Sequence, residues 1–181
     1  MKSINYKKIT LEQLAAIISN KLTEHNIDSI LVGGGCVSIY SKNRYQSYDL
    51  DFITYQDMKK VELALKELGF IKKNRHFEHK DCQYFIEFVS PPVAIGSEPV
   101  HKFEYHKTKL GTIKMLTPTD SIKDRLASYY HWNDLQGLEQ ALDICHEIKK
   151  IDLNEIKNWS EKEGYLNKFQ RFLSLLQSES Q

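Results

Sequence analysis

Residues 30–53, ILVGGGCVSIYSKNRYQSYDLDFI, leave few folds open to this chain. An apolar strand (Ile30, Leu31, Val32) runs into three glycines and a short apolar-periodic helix, and the segment ends at Asp49-Leu50-Asp51-Phe52. Side chains alternate along a strand, so two aspartates one residue apart share a face, while Leu50 and Phe52 point the other way, into a core. Aspartate is depleted from strands, and a pair of them in an apolar strand faces either water or a cation. Glycines let a backbone approach a phosphate closely, and the N-terminus of the following helix offers free N–H groups and the positive end of a dipole. Mg²⁺ is held by one or two carboxylates together with substrate phosphates. The pattern reads as a site for a nucleoside triphosphate and its metal. A Walker-type phosphate loop does not fit, because no Gly-Lys-Ser/Thr follows, and Gly33-Gly34-Gly35 lacks the later glycine of the dinucleotide fingerprint.

These residues resemble the nucleotidyltransferases of the DNA polymerase β-like superfamily, most closely the AbiEii-type toxin branch. The resemblance rests on Gly33-Gly34, fourteen intervening residues (35–48) and Asp-Leu-Asp-Phe, with Arg44 five and Ser47 two residues before Asp49. It spans 23 residues (31–53) closely, and in segment order it extends to about residue 145. It implies an α/β (α+β) fold: a polymerase-β-like core with a mixed sheet over residues 1–116, then a C-terminal helical bundle over 117–181. It also implies transfer of an NMP from an NTP to an acceptor hydroxyl with release of pyrophosphate. Two Mg²⁺ ions (Mn²⁺ as the alternative) would be held by Asp49, Asp51 and a third carboxylate from a later strand. Glu87, alone among Tyr84, Phe85, Ile86, Phe88 and Val89, is the candidate, with Glu78 and Asp81 as nearby substitutes. It would ligate a metal or accept the proton of the nucleophile. The resemblance further implies phosphate contacts from Gly33, Gly34, Ser47 and Arg44, and a lysine on the first helix after the sheet, for which Lys123 is the choice. The acceptor is open between a tRNA end, a protein side chain and a small molecule. Toxins of this branch pair with a separate antitoxin protein. Related enzymes commonly have Arg-Asp where this chain has Asn133-Asp134, a departure that bears on activity rather than fold. Two other classes remain: a catalytically inactive binding or regulatory module that keeps the fold, and an RNA-binding domain whose affinity would fall steeply with salt.

Hydrophobic content of 41% and 27% charged residues are ordinary for a globular chain of 181 residues, enough for one core with a helical appendix. No apolar run approaches ~18 residues, so no membrane span is expected. The start, MKSINYKKIT, lacks an apolar signal segment. Three cysteines (Cys36, Cys82, Cys145) without metal-type spacing point to reduced thiols and a cytoplasmic protein. A net charge of +1 makes no global electrostatic case for nucleic acid, although the basic runs at 72–80 and 102–109 are local candidates for an RNA backbone.

Periodicity predicts helices over 11–25, 36–40, 57–68, 119–132, 134–149, 153–163 and 166–177, with capping-box starts at Thr10/Gln13 and Asp152/Glu155. It predicts strands over 29–32, 49–54 and 83–89, a further strand beginning at Phe70-Ile71, and a hairpin of 102–107 with 111–116. His76, His79 and Cys82 alternate faces if extended and do not read as a zinc site. Tyr129, Tyr130, His131 and Trp132 read chiefly as core, with base stacking as the alternative.

Overall fold

The computed structural model describes residues 4–179. Its first helix, α1 (Leu11–Glu24), begins as its sequence dictates: Thr10 Oγ1 accepts from Gln13 N–H, and the Gln13 side chain reaches back to Thr10 N–H. β1 (Ile30–Val32) leads into α2 (Gly33–Tyr40), β2 (Asp49–Ile53) and α3 (Met58–Lys66). Asp57 caps α3, and Gly69, at φ +84°, lies just beyond its end. Five further strands follow in the sheet region: β3 (Ile71–Lys73), β4 (His76–Glu78), β5 (Phe85–Val89), and the hairpin of β8 (Phe103–Thr108) with β9 (Gly111–Leu116). A separate ribbon pairs β6 (Ala94–Ile95) with β7 (Glu98–Pro99). Four helices complete the described chain: α4 (Pro118–Trp132), α5 (Leu135–Glu147), α6 (Leu153–Lys162) and α7 (Leu166–Ser178).

The seven-stranded sheet has the order β3-β4-β5-β2-β1-β9-β8. It is mixed: β1 runs antiparallel to β2 and parallel to β9, and β2 runs parallel to β5. Register sorts the side chains into two faces. Leu31, Phe52 and Met115 lie across from one another, as do Leu50, Ile86 and Phe77, and all are buried. Helix α1 packs on this side against β9 and α3, bringing Leu14, Ile18 and Leu22 out of water at about 1.5–3 kcal/mol each. The opposite face carries Asp49, Asp51 and Glu87. Helix α4 starts directly after β9, with Thr117 accepting from Asp120 N–H and Pro118 in the first turn, where a missing N–H costs nothing. It packs against α2, α5 and α6.

Three expectations shift. The short helix begins at Gly33 rather than Cys36, so the glycines form its first turn. Strand β4 and the β6–β7 ribbon, both made of very short segments, are not signalled by periodicity. Helix α5 stops at Glu147, just before Ile148 turns extended at ψ 116°. Among the described residues no helix is long and apolar enough to cross a membrane.

Candidate active site

Strand β2 sets the site. Leu50 and Phe52 are fully buried on the α1 side, which forces Asp49 and Asp51 together onto the other face. Strand β5 lies parallel beside it with Glu87 directly across from Asp51, so the third carboxylate joins the aspartate pair through sheet register. Val32 pairs with Asp51 on the other side, which places the glycine turn at the carboxylates.

Gly33 has φ +63°, a conformation side chains rarely adopt, and a Cβ there would fall 2.7 Å from Asp51 Oδ2. A Cβ on Gly34 would fall 2.8 Å from Ser47 Oγ. The turn and the acids are therefore packed against each other. We expect Gly33→Ala to cost about 1–3 kcal/mol from strain and to push Asp51 out of place. Thermal melts and nucleotide titration of the variant would show both effects, and a variant with unchanged melting and binding would contradict this packing.

Ser47 is buried; its N–H donates to Ser38 Oγ (2.8 Å) and its hydroxyl donates to Asp49 Oδ1 (2.5 Å). Contact with a phosphate would require that hydroxyl to leave Asp49. Arg44 lies in the loop between α2 and β2, half-exposed, with Nε 3.0 Å from Glu147 Oε1 at the end of α5. Lys123 is placed elsewhere. Its Nζ is nearly buried among Glu155 (2.9 Å), Asp120 (3.1 Å) and Glu98 (3.8 Å), facing a cleft of about 450 Å³ that also contains His101, Lys102 and Thr117. Removing it would leave the nearly buried Asp120 carboxylate uncompensated, so Lys123→Ala should lose about 2–4 kcal/mol of stability while leaving nucleotide binding unchanged. Chemical denaturation beside a nucleotide titration separates the two.

The cation whose charge reaches Asp51 is Arg125, two residues further on. Its Nε (3.1 Å) and Nη2 (2.5 Å) donate to Asp124 Oδ2, and Nη1 (3.3 Å) donates to Gln140 Oε1 on α5. The Asp51 carboxyl is raised from its ordinary 3.8 to about 7, first by burial, then by the charges of Asp49 and Glu87; Arg125 opposes this and Asp124 adds to it. The guanidinium thus lies between two carboxylates, bonded to Asp124 and acting on Asp51 through its charge. The sequence holds a signal for Arg125: with Ile122, Leu126 and Tyr129 as the buried stripe of α4, positions 123 and 125 fall on opposite flanks. Which flank faces the sheet is set by packing.

An all-oxygen, electron-rich donor set on a half-buried face fits a hard divalent cation. Among the described residues no three His, Cys, Asp or Glu side chains already converge as a chelate. Mg²⁺ does not demand one, since phosphates and water supply most of its six ligands. Asn133 and Asp134, at the position of the family departure, have structural work. Asn133 ends α4 at φ 57° and accepts from Lys168 Nζ, while Asp134 caps α5.

The fold is that of nucleotidyltransferase-like proteins. The structure is similar over 89% of this chain to an antigenic nucleotidyltransferase-like protein from Paracoccidioides brasiliensis (TM-score 0.54, 13% identity, 92% of that chain covered). It is also similar over 94% of this chain to the antibiotic-resistance factor ANT(2'')-Ia (TM-score 0.53, 11% identity, 96% of that chain covered). No protein-family model matches the sequence, and no curated protein matches it.

Proposed function

We propose that the chain is a Mg²⁺-dependent nucleotidyltransferase. The observation that carries the reading is the stacking of the glycine turn on the carboxylates: Gly33 lies against Asp51, with Glu87 in register across the strand. A bare acidic pair on a strand needs no such turn, and a structural turn needs no half-buried acids beside it. Asp49 and Asp51, with Glu87, would hold the metal, which when bound would neutralise charge on the triphosphate and on the departing pyrophosphate. Gly33 and Gly34 allow the phosphates to approach the first turn of α2. Ser47 fixes the orientation of Asp49, and Arg125 supplies positive charge beside Asp51. The acceptor oxygen attacks the α-phosphorus, the bond to the β-phosphate oxygen breaks, pyrophosphate leaves, and the acceptor proton passes to a base, for which Glu87, in register beside Asp51, is the candidate. The fold resemblance to ANT(2'')-Ia and the AbiEii-like motif support an NMP-transfer chemistry. The motif extends the proposal to a cytoplasmic toxin with an antitoxin partner and an acceptor that is RNA, protein or small molecule.

Calorimetry with each of the four nucleotides, with and without Mg²⁺, tests this. Wild type should bind one or more of them at micromolar Kd only with the metal, and Asp49→Ala/Asp51→Ala should not bind. Arg125→Ala should weaken binding about tenfold or more, the scale of a lost charge-assisted contact. A folded wild-type protein that binds no nucleotide would overturn the enzyme reading in favour of a non-catalytic module.

A further inference from the structure

The aromatic run at the end of α4 has no part in the chemistry above. Tyr129 and Tyr130 are buried, but Trp132 is 77% exposed. It borders a cleft of about 760 Å³ lined by Gly96, Ser97, Ala127, His131, Trp132 and Glu163. The Glu163 side chain, just past α6, is only 7% exposed. Ser97 donates to it twice, from N–H (2.9 Å) and Oγ (2.5 Å), and both bonds reach Oε1. Among the described residues Oε2 accepts no hydrogen bond; His131 Nε2 lies 3.7 Å from it. Burial pushes the Glu163 carboxyl up, but the two Ser97 bonds and His131 outweigh it and hold the group below the ordinary carboxylate range. Gly96, at φ +58°, backs onto the carboxylate so closely that a Cβ would lie 2.5 Å from Oε2.

The cleft therefore joins a fixed, nearly buried anion with one unbonded oxygen to an open indole. An anion would be repelled there, and a purely apolar ligand would leave Oε2 desolvated and unpaired. A metal ion would find too few donors, for no three His, Cys, Asp or Glu converge among the described residues. A ligand with a positive charge and N–H donors satisfies both walls, through a charge-assisted bond to Oε2 and a face of Trp132. Its position is also informative. Ala127 and His131 follow Asp124 by three and seven residues on one face of α4, so the cleft lies about 5–10 Å along the helix from Asp124, whose charge acts on Asp51.

We propose that this cleft is a subsite for an organic cation with N–H donors, a primary ammonium or a guanidinium. Resting on the nucleotidyl-transfer reading, it holds the cationic end of a hydroxyl-bearing acceptor. Trp132 reports on it directly, since the other tryptophan, Trp159, is buried. Spermidine and N-acetylargininamide should change Trp132 emission saturably, N-acetylcitrullinamide should not, and Trp132→Phe should lose the signal. In Glu163→Gln, which keeps an oxygen for Ser97, binding should be at least tenfold weaker. If that variant fails to fold, Trp132→Ala followed by calorimetry should bind about threefold more weakly or worse. A short arginine-containing peptide that binds more tightly than the free cations assigns a protein acceptor; the reverse order assigns a small molecule. Emission unmoved by every cation up to about 10 mM, or equal binding by both variants and wild type, overturns the proposal. The titration needs neither nucleotide nor Mg²⁺, so its failure is separate from a failure to bind Mg²⁺–NTP.

Discussion

Under the proposed function, Asp51→Asn should lower nucleotidyl transfer by about 10³-fold or more, and it should at the same time make the metal-free protein more stable at pH 8. Both effects have one cause. The Asp51 carboxyl is raised to about 7 by burial and by Asp49 and Glu87, so the folded state holds its proton more tightly than the unfolded chain does. For an acid shifted upward, folding stability is fully present below the unfolded value near 4 and is lost as pH rises to about 7. The loss is on the order of 2–4 kcal/mol after allowance for partial exposure. Asparagine has the same shape and no charge, so the variant should show a flatter stability profile between pH 4 and 7. It should exceed wild type above pH 7 and match it near pH 4. Adding Mg²⁺ with nucleotide should stabilise wild type and leave Asp51→Asn unchanged, because only a binder of the folded state shifts unfolding. Urea titrations across this pH range measure the effect; a wild type whose stability does not fall toward neutral pH would refute a crowded, half-buried Asp51.

Trp159→Ala will be the most damaging single substitution outside the site, at about 3–5 kcal/mol. Trp159 is 2% exposed, stacks on Tyr130 (centroids 5.4 Å apart, 20° between planes), and donates Nε1–H to the Ile95 carbonyl at 3.4 Å. It joins α6 to α4 and to the β6–β7 ribbon, and Tyr130 OH and Ser160 Oγ, 2.8 Å apart, depend on the same packing. The melting temperature should drop by about 6–20 °C for a chain of this size. Trp159→Phe, which keeps the ring contact and loses the N–H, should cost well under half as much. Circular dichroism melts of the two variants decide it. Equal, small shifts would mean that the helices are held to the sheet by something other than this stack.

Much of the site is legible in the sequence because it is local. Asp49 and Asp51 share a face by strand alternation alone, and the apolar Leu50 and Phe52 between and after them say which face is the core. The Thr10, Asp57, Thr117 and Asp152 caps are legible for the same reason: each acts on a backbone N–H within three residues. Glu87 is intermediate. Its strand is clear from Phe85-Ile86-Glu87-Phe88-Val89, but that it faces Asp51 depends on a parallel register set by 35 intervening residues of folded chain. Short elements are not legible: three-residue β4 and the two-residue strands of β6–β7 carry too few alternations to register against loop composition.

By itself, then, the sequence determined the glycine-to-aspartate unit, the strand that carries the acids and the positions of the long helices, because propensity, capping and periodicity act over a few residues. The tertiary structure alone decided which cation lies by Asp51 and what each loop side chain touches. In one dimension Lys123 is the choice, and Arg125 stands only two residues beyond it on the same helix. They part only when α4 settles against α2, α5 and α6, turning Lys123 toward Glu98, Asp120 and Glu155 and Arg125 toward Asp124, Gln140 and the charge of Asp51. The same packing brings Ser97 and Glu163, 66 residues apart, to the floor of one cleft beside Trp132. Contacts over such separations are fixed by how faces pack, and no local pattern encodes the rotation of a helix about its own axis.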